Sequence, residues 1–158
     1  MPKFTSTFTN KVDKKGRVSV PASFRASLPE GSWQGIVAYP SFVHDAIEGC
    51  DLDYLDRLSD SIDELAPYSE EHDAFTFSIL SSSSRLSFDS EGRIILPQDL
   101  LDYAGITDRV TFVGRGNTFQ IWSPEAFEAE LVKARELARK NRDMLRWKRR
   151  PGAAEAGA

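Results

Sequence analysis

Cysteine and histidine are almost missing from this chain: Cys50, His44 and His72 are all there is of either in 158 residues. One cysteine excludes an internal disulfide and a thiolate-rich metal site, and such usage is ordinary in a reducing compartment. The two histidines stand apart with no cysteine or histidine at ligand spacing, so no metal is expected. No run of about eighteen apolar residues occurs, and no membrane-spanning helix is expected. The opening "MPKFTSTFTN" lacks the apolar stretch of a signal peptide, so a cytoplasmic protein is expected. Phosphate-binding loops of the G-x-x-x-x-G-K and G-x-G-x-x-G types are missing too. "GRGN" at 114–117 reads as a hairpin turn, and the serines at 81–84 have no nucleophile-elbow setting. Nothing here composes a catalytic constellation or a cofactor site, and the chain is not read as an enzyme.

An excess of positive charge is also lacking, since the net charge is −4. Its distribution matters more. Residues 1–25 carry Lys3, Lys11, Lys14, Lys15, Arg17 and Arg25 against Asp13 alone. Residues 133–150 carry nine basic side chains against Glu136 and Asp143, whereas 26–132 hold five arginines against twenty acids. Two basic ends flank an acidic middle, an asymmetry that suits a polyanion partner or, more blandly, a solvated surface.

One phrase is written twice. "KVDKKGRVSVPASF" runs from Lys11 to Phe24, and "SFDSEGRIILPQDL" from Ser87 to Leu100. Asp13 matches Asp89, Gly16 matches Gly92, Arg17 matches Arg93 and Pro21 matches Pro97. In each copy an alternating segment, a D-x-x-G turn and a second alternating segment read as a β-hairpin, with glycine supplying positive φ. The proline then ends the strand and opens a short helix as its first residue. Phe24 and Leu28 give the first of these helices an apolar face. Gly105 closes the second. "WQGIVAYPSF", "RVTFVG" and "FQIW" read as further strands. Asp51 caps a helix whose Leu52, Leu55, Leu58, Ile62 and Leu65 share one face. Ser123-Pro124-Glu125 starts another, lined by Phe127, Leu131, Ala134 and Ala138. The plan is hairpin, short helix, strands and longer helix, twice over. Half a chain of this length would bury too little surface to stand alone, so the halves are expected to share one core.

The segments fall as a first repeat at 4–66, a connecting segment at 67–83, a second repeat at 84–138, and a basic extension with a mobile tail at 139–158. Within the connector, "AFTFSIL" reads equally as helix or strand. In the C-terminal stretch, Leu137, Met144 and Leu145 would pack as an amphipathic face; a phosphate-contacting arm and a fraying tail are the other readings.

The sharpest feature is the Asp-x-x-x-Arg pair. For Asp13, Asp89 and Arg93 a loop clamp accounts for it: the carboxylate binds turn amides or pairs with an arginine, its own copy's or the other's. Arg17 differs because Lys14 and Lys15 share its turn. Three cations in one turn suit phosphate, and an arginine can read guanine by a bidentate bond. Ser90 and Glu91 take the lysines' places in the second copy.

With "DKKGR" followed by Pro21 and "FR", and "DSEGRIILP" followed by "AGI" and "IW", the chain resembles the MraZ family of bacterial transcriptional regulators, from about Phe4 to Arg142. A single copy would point only to the wider AbrB-like group. The resemblance implies an α+β fold of two AbrB-like swapped-hairpin repeats, forming a pseudo-two-fold β half-barrel with peripheral helices. It implies a homo-oligomer, a ring of several subunits, that binds double-stranded promoter DNA at short direct repeats upstream of the division and cell-wall gene cluster, and hence association with the nucleoid. Mapped by motif, the DNA-binding hairpin comprises Lys11, Lys14, Lys15, Gly16 and Arg17, while Asp13, Pro21, Asp89, Gly92, Arg93 and Pro97 form the structural motif. Where the second copy of the family usually carries an arginine after the "PQDL"-like stretch, this chain has Leu101; the first copy keeps Arg25. A rival expectation is an oligomeric scaffold that binds a protein partner through the acidic helix at 51–65.

Overall fold

The computed structural model describes residues 1–31 and 33–148. Strands β1 (Thr7–Lys11) and β2 (Arg17–Ser19) lead to helix α1 (Ala22–Ala26), strands β3 (Gly35–Pro40) and β4 (Ile47–Cys50), and helix α2 (Leu52–Asp63). Helix α3 (Glu70–Phe75) continues into a π-helical turn at Thr76–Leu80. The plan then repeats with β5 (Ser84–Ser87), β6 (Arg93–Ile95), helix α4 (Gln98–Tyr103), β7 (Arg109–Gly114), β8 (Phe119–Trp122) and helix α5 (Pro124–Lys140), followed by a 3-10 turn at Arg142–Met144. "AFTFSIL" is thus helical. Strand β4 was not foreseen: "IEGC" has weak strand propensity, and it is held by pairing with β3 on one side and β8 on the other.

The repeated phrases do not fold as hairpins, contrary to the sequence reading. The turn itself closes, with the Gly16 N–H donating to the Asp13 carbonyl and the Asp13 N–H to that of Arg17, both at 3.0 Å. Beyond it the two strands part and pair with the other half of the chain. β1 runs antiparallel to β7, from Lys11 opposite Arg109 to Thr7 opposite Val113. β5 pairs in the same way with β3, and β2 pairs with β6. The reason lies in what must be buried. Pairing β2 with β6 sets Val18 directly opposite Ile94, each 1% exposed, inside the core. The six-stranded sheet has the order β1-β7-β8-β4-β3-β5, which exchanging equivalent strands of the two halves leaves unchanged.

One apolar cluster draws on both halves, from Phe4, Val12, Val20 and Phe24 to Leu96, Leu100, Phe112 and Phe119. Phe24 sits among four other rings, with centroids 5.2 Å from Phe4, 5.6 Å from Phe8, 6.2 Å from Phe112 and 5.1 Å from Phe119. A five-residue helix has no stability of its own, and α1 is held by this ring. Pro21 and Pro97 occupy the cap positions, one residue earlier than expected. Their carbonyls accept from Phe24 and Arg25 at 3.0 Å, and from Leu100 and Leu101 at 3.1 Å. Leu101 is buried in the core, which accounts for its difference from Arg25.

A second cluster gathers Leu52, Leu55, Leu58 and Ile62 of α2 against Val37, Tyr39, Cys50 and Ile79. As expected, Asp51 caps α2, accepting from the Tyr54 N–H at 2.8 Å. It is also paired with Lys3 at 2.9 Å. Ser123 accepts from the Ala126 N–H at the start of α5, and Phe127 packs with Trp122, Ala46 and Val113.

The chain divides into two compact units, the first Met1–Phe127 and the second beginning at Glu128. Within the second, Leu137, Met144 and Leu145 are all more than 60% exposed, so the expected packing of these three is not seen. The expected mobile tail, residues 151–158, lies outside the described residues, as do the last two residues of the basic stretch, 149 and 150. Among the described residues, no helix is long and apolar enough to cross a membrane.

Candidate nucleic-acid interface

The turn between β1 and β2 is organised by one carboxylate. Asp13 Oδ1 accepts from the backbone N–H groups of Lys15 and Arg17, both at 2.9 Å, and Oδ2 takes the Arg17 Nε at 2.6 Å. The second copy repeats this: Asp89 Oδ1 accepts from Glu91 and Arg93 N–H at 2.9 Å, and Oδ2 takes Arg93 Nε at 2.8 Å. Each carboxyl is held below the usual aspartate range, first by the backbone N–H of the arginine four residues on, with the guanidinium and the second amide adding to it. The clamp is therefore internal to each copy, and Arg17 belongs to it as fully as Arg93.

The turns also dock on the opposite half. The Leu96 N–H donates to the Gly16 carbonyl at 2.8 Å, and the Val20 N–H to that of Gly92 at 3.1 Å. Gly16 has φ +84°, and a Cβ there would stand 2.7 Å from the Leu96 carbonyl oxygen. This residue is buried, so its part in the turn is to shape it. At Gly92, φ is +75° and a Cβ would meet the Arg25 guanidinium at 2.6 Å. Arg25 itself donates from Nε to the Val20 carbonyl, which holds its guanidinium against Gly92 of the second turn.

What differs between the turns is what they display. Lys11, Lys14 and Lys15 are exposed. The Nε of Arg17 is fixed by Asp13, and among the described residues neither Nη has a protein partner. The second turn exposes Ser90 and Glu91, and Glu91 takes an Nη of Arg93 at 3.0 Å. One turn thus offers three cations in a fixed frame, and the other neutralises its only one.

The register adds a cation that the linear reading missed. Arg109 stands directly opposite Lys11 on the neighbouring strand, and both are exposed. They are 98 positions apart in the chain, and only the crosswise pairing of β1 with β7 brings them together. Among the described residues, no group of three or more histidine, cysteine, aspartate or glutamate side chains is placed to hold a metal ion.

Fold and turns together define a class: one strand–turn–strand phrase used twice, its copies paired crosswise, with cations displayed at one turn only. Comparison with known proteins gives the family. The family model described as "MraZ protein, putative antitoxin-like" matches residues 79–148. A protein of Pelagibacter ubique (strain HTCC1062) named transcriptional regulator MraZ is 52% identical over 146 residues, covering 92% of this chain and 94% of its own. A relative of the same name from Rickettsia bellii (strain OSU 85-389) is 49% identical over 144 residues, covering 90% and 96%. One from Rickettsia akari (strain Hartford) is 46% identical over 143 residues, covering 90% and 96%. The chain belongs to the MraZ family.

Proposed function

We propose that this chain is a transcriptional regulator that binds double-stranded promoter DNA through the turn carrying Lys14, Lys15 and Arg17. The observation that carries the proposal is the contrast between two turns built on the same clamp. Asp13 fixes Arg17 by Nε and leaves its outer edge open beside two exposed lysines, whereas Glu91 occupies the corresponding edge of Arg93. Lysines contribute phosphate affinity, and an arginine held in one orientation can meet a guanine edge with less ordering cost. The crosswise pairing of β1, β2, β5 and β6 supports the reading of two AbrB-like swapped-hairpin repeats. A single turn with three cations would bind weakly at physiological salt. In our reading, a homo-oligomeric ring presents several turns to successive direct repeats, and linkage of the turns multiplies their affinity. The proposed targets are repeats upstream of the division and cell-wall gene cluster.

The test is equilibrium binding of the full chain to duplex DNA from upstream of its own gene, with the triple variant Lys14→Ala/Lys15→Ala/Arg17→Ala beside it. The variant is expected to lose binding while its mass in solution stays that of the wild type. Its melting temperature should fall only by what the exposed Asp13–Arg17 pair contributes, and Lys14→Ala/Lys15→Ala, which keeps that pair, should melt as the wild type does. Undiminished binding by the triple variant would remove the turn from the interface. A protein-binding role for the exposed carboxylates of α2 would then be the better account.

A further inference from the structure

We propose that Lys11 and Arg109 form a two-strand phosphate clamp beside the basic turn, which anchors the turn on the DNA backbone without reading sequence. The inference rests on the DNA-binding reading and adds Arg109, a residue outside the repeated phrase, to the interface.

Like charges directly opposite on neighbouring strands stand about 5 Å apart at Cβ and destabilise the sheet. Lys11 and Arg109 are such a pair, and among the described residues neither has an ion-pair or hydrogen-bond partner in its side chain. The nearest carboxylates in sequence are already engaged. Asp13 is held by its own turn and by Arg17, and Asp108 accepts from the Thr107 hydroxyl at 3.2 Å. The next rung on the same face pairs Thr9 with Thr111, their hydroxyls 3.1 Å apart. Thr111 is buried, so on this face it is Lys11, Arg109 and the exposed Thr9 that are of the side-chain types that contact phosphate oxygens. β1 is an edge strand of the sheet, so the clamp lies at the border from which the turn emerges.

The other half supplies an internal comparison. The rung equivalent to Lys11–Arg109 is Ser87–Gly35, at the same register of β5 on β3. It carries no charge; Gly35 is buried, and Ser87 is exposed but bonded to an indole. The Trp33 indole donates to Ser87 Oγ at 2.8 Å, and a Cβ on Gly35 would stand 2.4 Å from the Trp33 ring. Two residues before Arg109, where Trp33 has its counterpart, stands Thr107, too small to form such a cover. One copy of the rung is neutral and takes an indole as its neighbour; the other is doubly cationic and has threonine in the indole's place. Packing within the subunit does not call for the two cations, and an external anion does.

The experiment measures binding of the full chain to its upstream duplex and to an unrelated duplex across salt, for Arg109→Gln, Lys14→Ala/Lys15→Ala and Arg85→Gln. Arg85 is an exposed arginine on β5, at the opposite edge of the sheet. For each bound turn, Arg109→Gln should lower the slope of log K against log salt by about 0.9. Its deficit should therefore shrink about 3.5-fold between roughly 50 and 200 mM salt. Both duplexes should lose the same factor, because a phosphate contact carries no sequence information. The free variant should melt at or slightly above the wild-type temperature, since a like-charge contact has been relieved. Arg85→Gln should change nothing. An unchanged slope for Arg109→Gln while the lysine variant weakens binding would overturn the clamp and leave the turn standing. If neither variant weakens binding, the DNA-binding reading itself fails. A loss confined to the upstream duplex, an equal effect of Arg85→Gln, or a melting temperature lowered by several degrees would each overturn the clamp, as base readout, bulk charge or a structural role respectively.

Discussion

Replacing Lys14 and Lys15 together with alanine separates counterion release from shape. The side chains of both residues are exposed, and the turn is built without them. Its hydrogen bonds run from the backbone N–H of Lys15 and Arg17 and the Arg17 guanidinium to Asp13, and from the Gly16 N–H to the Asp13 carbonyl. Exposed substitutions away from such features change stability by about 0.5 kcal/mol or less, so the fold should survive. With two fewer phosphates neutralised at each bound turn, the salt slope falls by about 1.8. Between roughly 50 and 200 mM salt, a fourfold change, the affinity deficit of the variant should then narrow about 12-fold. Fluorescence anisotropy of a labelled duplex at four or five salt concentrations gives the slope directly, and thermal melting of the free protein checks the fold. A deficit that is the same at every salt concentration would refute the reasoning, because the lysines would then be acting on the shape of the turn and not on phosphate charge.

Phe24→Ala removes the ring at the centre of the aromatic cluster and should cost about 3–5 kcal/mol. In a chain of this length that lowers the melting temperature by on the order of 10 °C, and a shift under about 2 °C would mean that α1 is not pinned by this side chain. The two clamp carboxylates predict a particular acid response. Their folded pKa values lie below the ordinary aspartate value, so the stability they contribute is complete above the unfolded pKa and is lost as pH falls through the folded one. No loosening of either turn is expected between neutral pH and about 4, and carboxyl carbon NMR titration of Asp13 and Asp89 should give midpoints below those of the unfolded chain; midpoints at or above them would show that the clamps are not formed in solution.

Much of this architecture could be read along the chain because the signals were local. Asp51 before an apolar stripe, Ser123 before Pro124 and Gly105 after a short helix each act within one turn of backbone. Each sits where such residues satisfy the end of a helix. The clamp was legible for the same reason, since four residues separate Asp13 from Arg17 and Asp89 from Arg93. Strand partners were not legible. A D-x-x-G turn between alternating segments specifies a reversal but not which strand lies alongside, and here burial of Val18 against Ile94 decides it. Everything that depends on the crosswise pairing was hidden with it, including the meeting of Lys11 with Arg109. β4 escaped notice because pairing on two sides, and not propensity, makes "IEGC" a strand. The neighbours of Arg17 and Arg93 were readable in the sequence, but their common engagement by aspartate was expected only for Arg93. Both engage their aspartates alike, and the difference lies in Glu91, which occupies a guanidinium edge that Lys15 leaves open.

The two copies bear on cause because they share one fold. Asp, Gly, Arg and Pro recur at matching places, and each has a visible task there: the carboxylate holds turn amides, the glycine adopts positive φ against a carbonyl or a guanidinium, and the proline caps a helix. Positions 14 and 15, and their counterparts 90 and 91, have no such task for the first pair, since no side-chain bond of Lys14 or Lys15 contributes to the turn among the described residues. A demand from packing alone would be met equally well by serine and glutamate, as the second copy demonstrates. The same holds one rung away, where Ser87 and Gly35 under Trp33 satisfy the sheet without any charge. The proposed reading supplies what packing does not: an anion outside the subunit that the cations of this rung and its turn would meet. A net charge of −4 does not oppose this, because salt screens exposed charges beyond about 8 Å. The acids of α2 and α3 stand on other elements than the turn, and on the proposed reading an approaching phosphate would meet the local field of the turn first, not the sum over the chain.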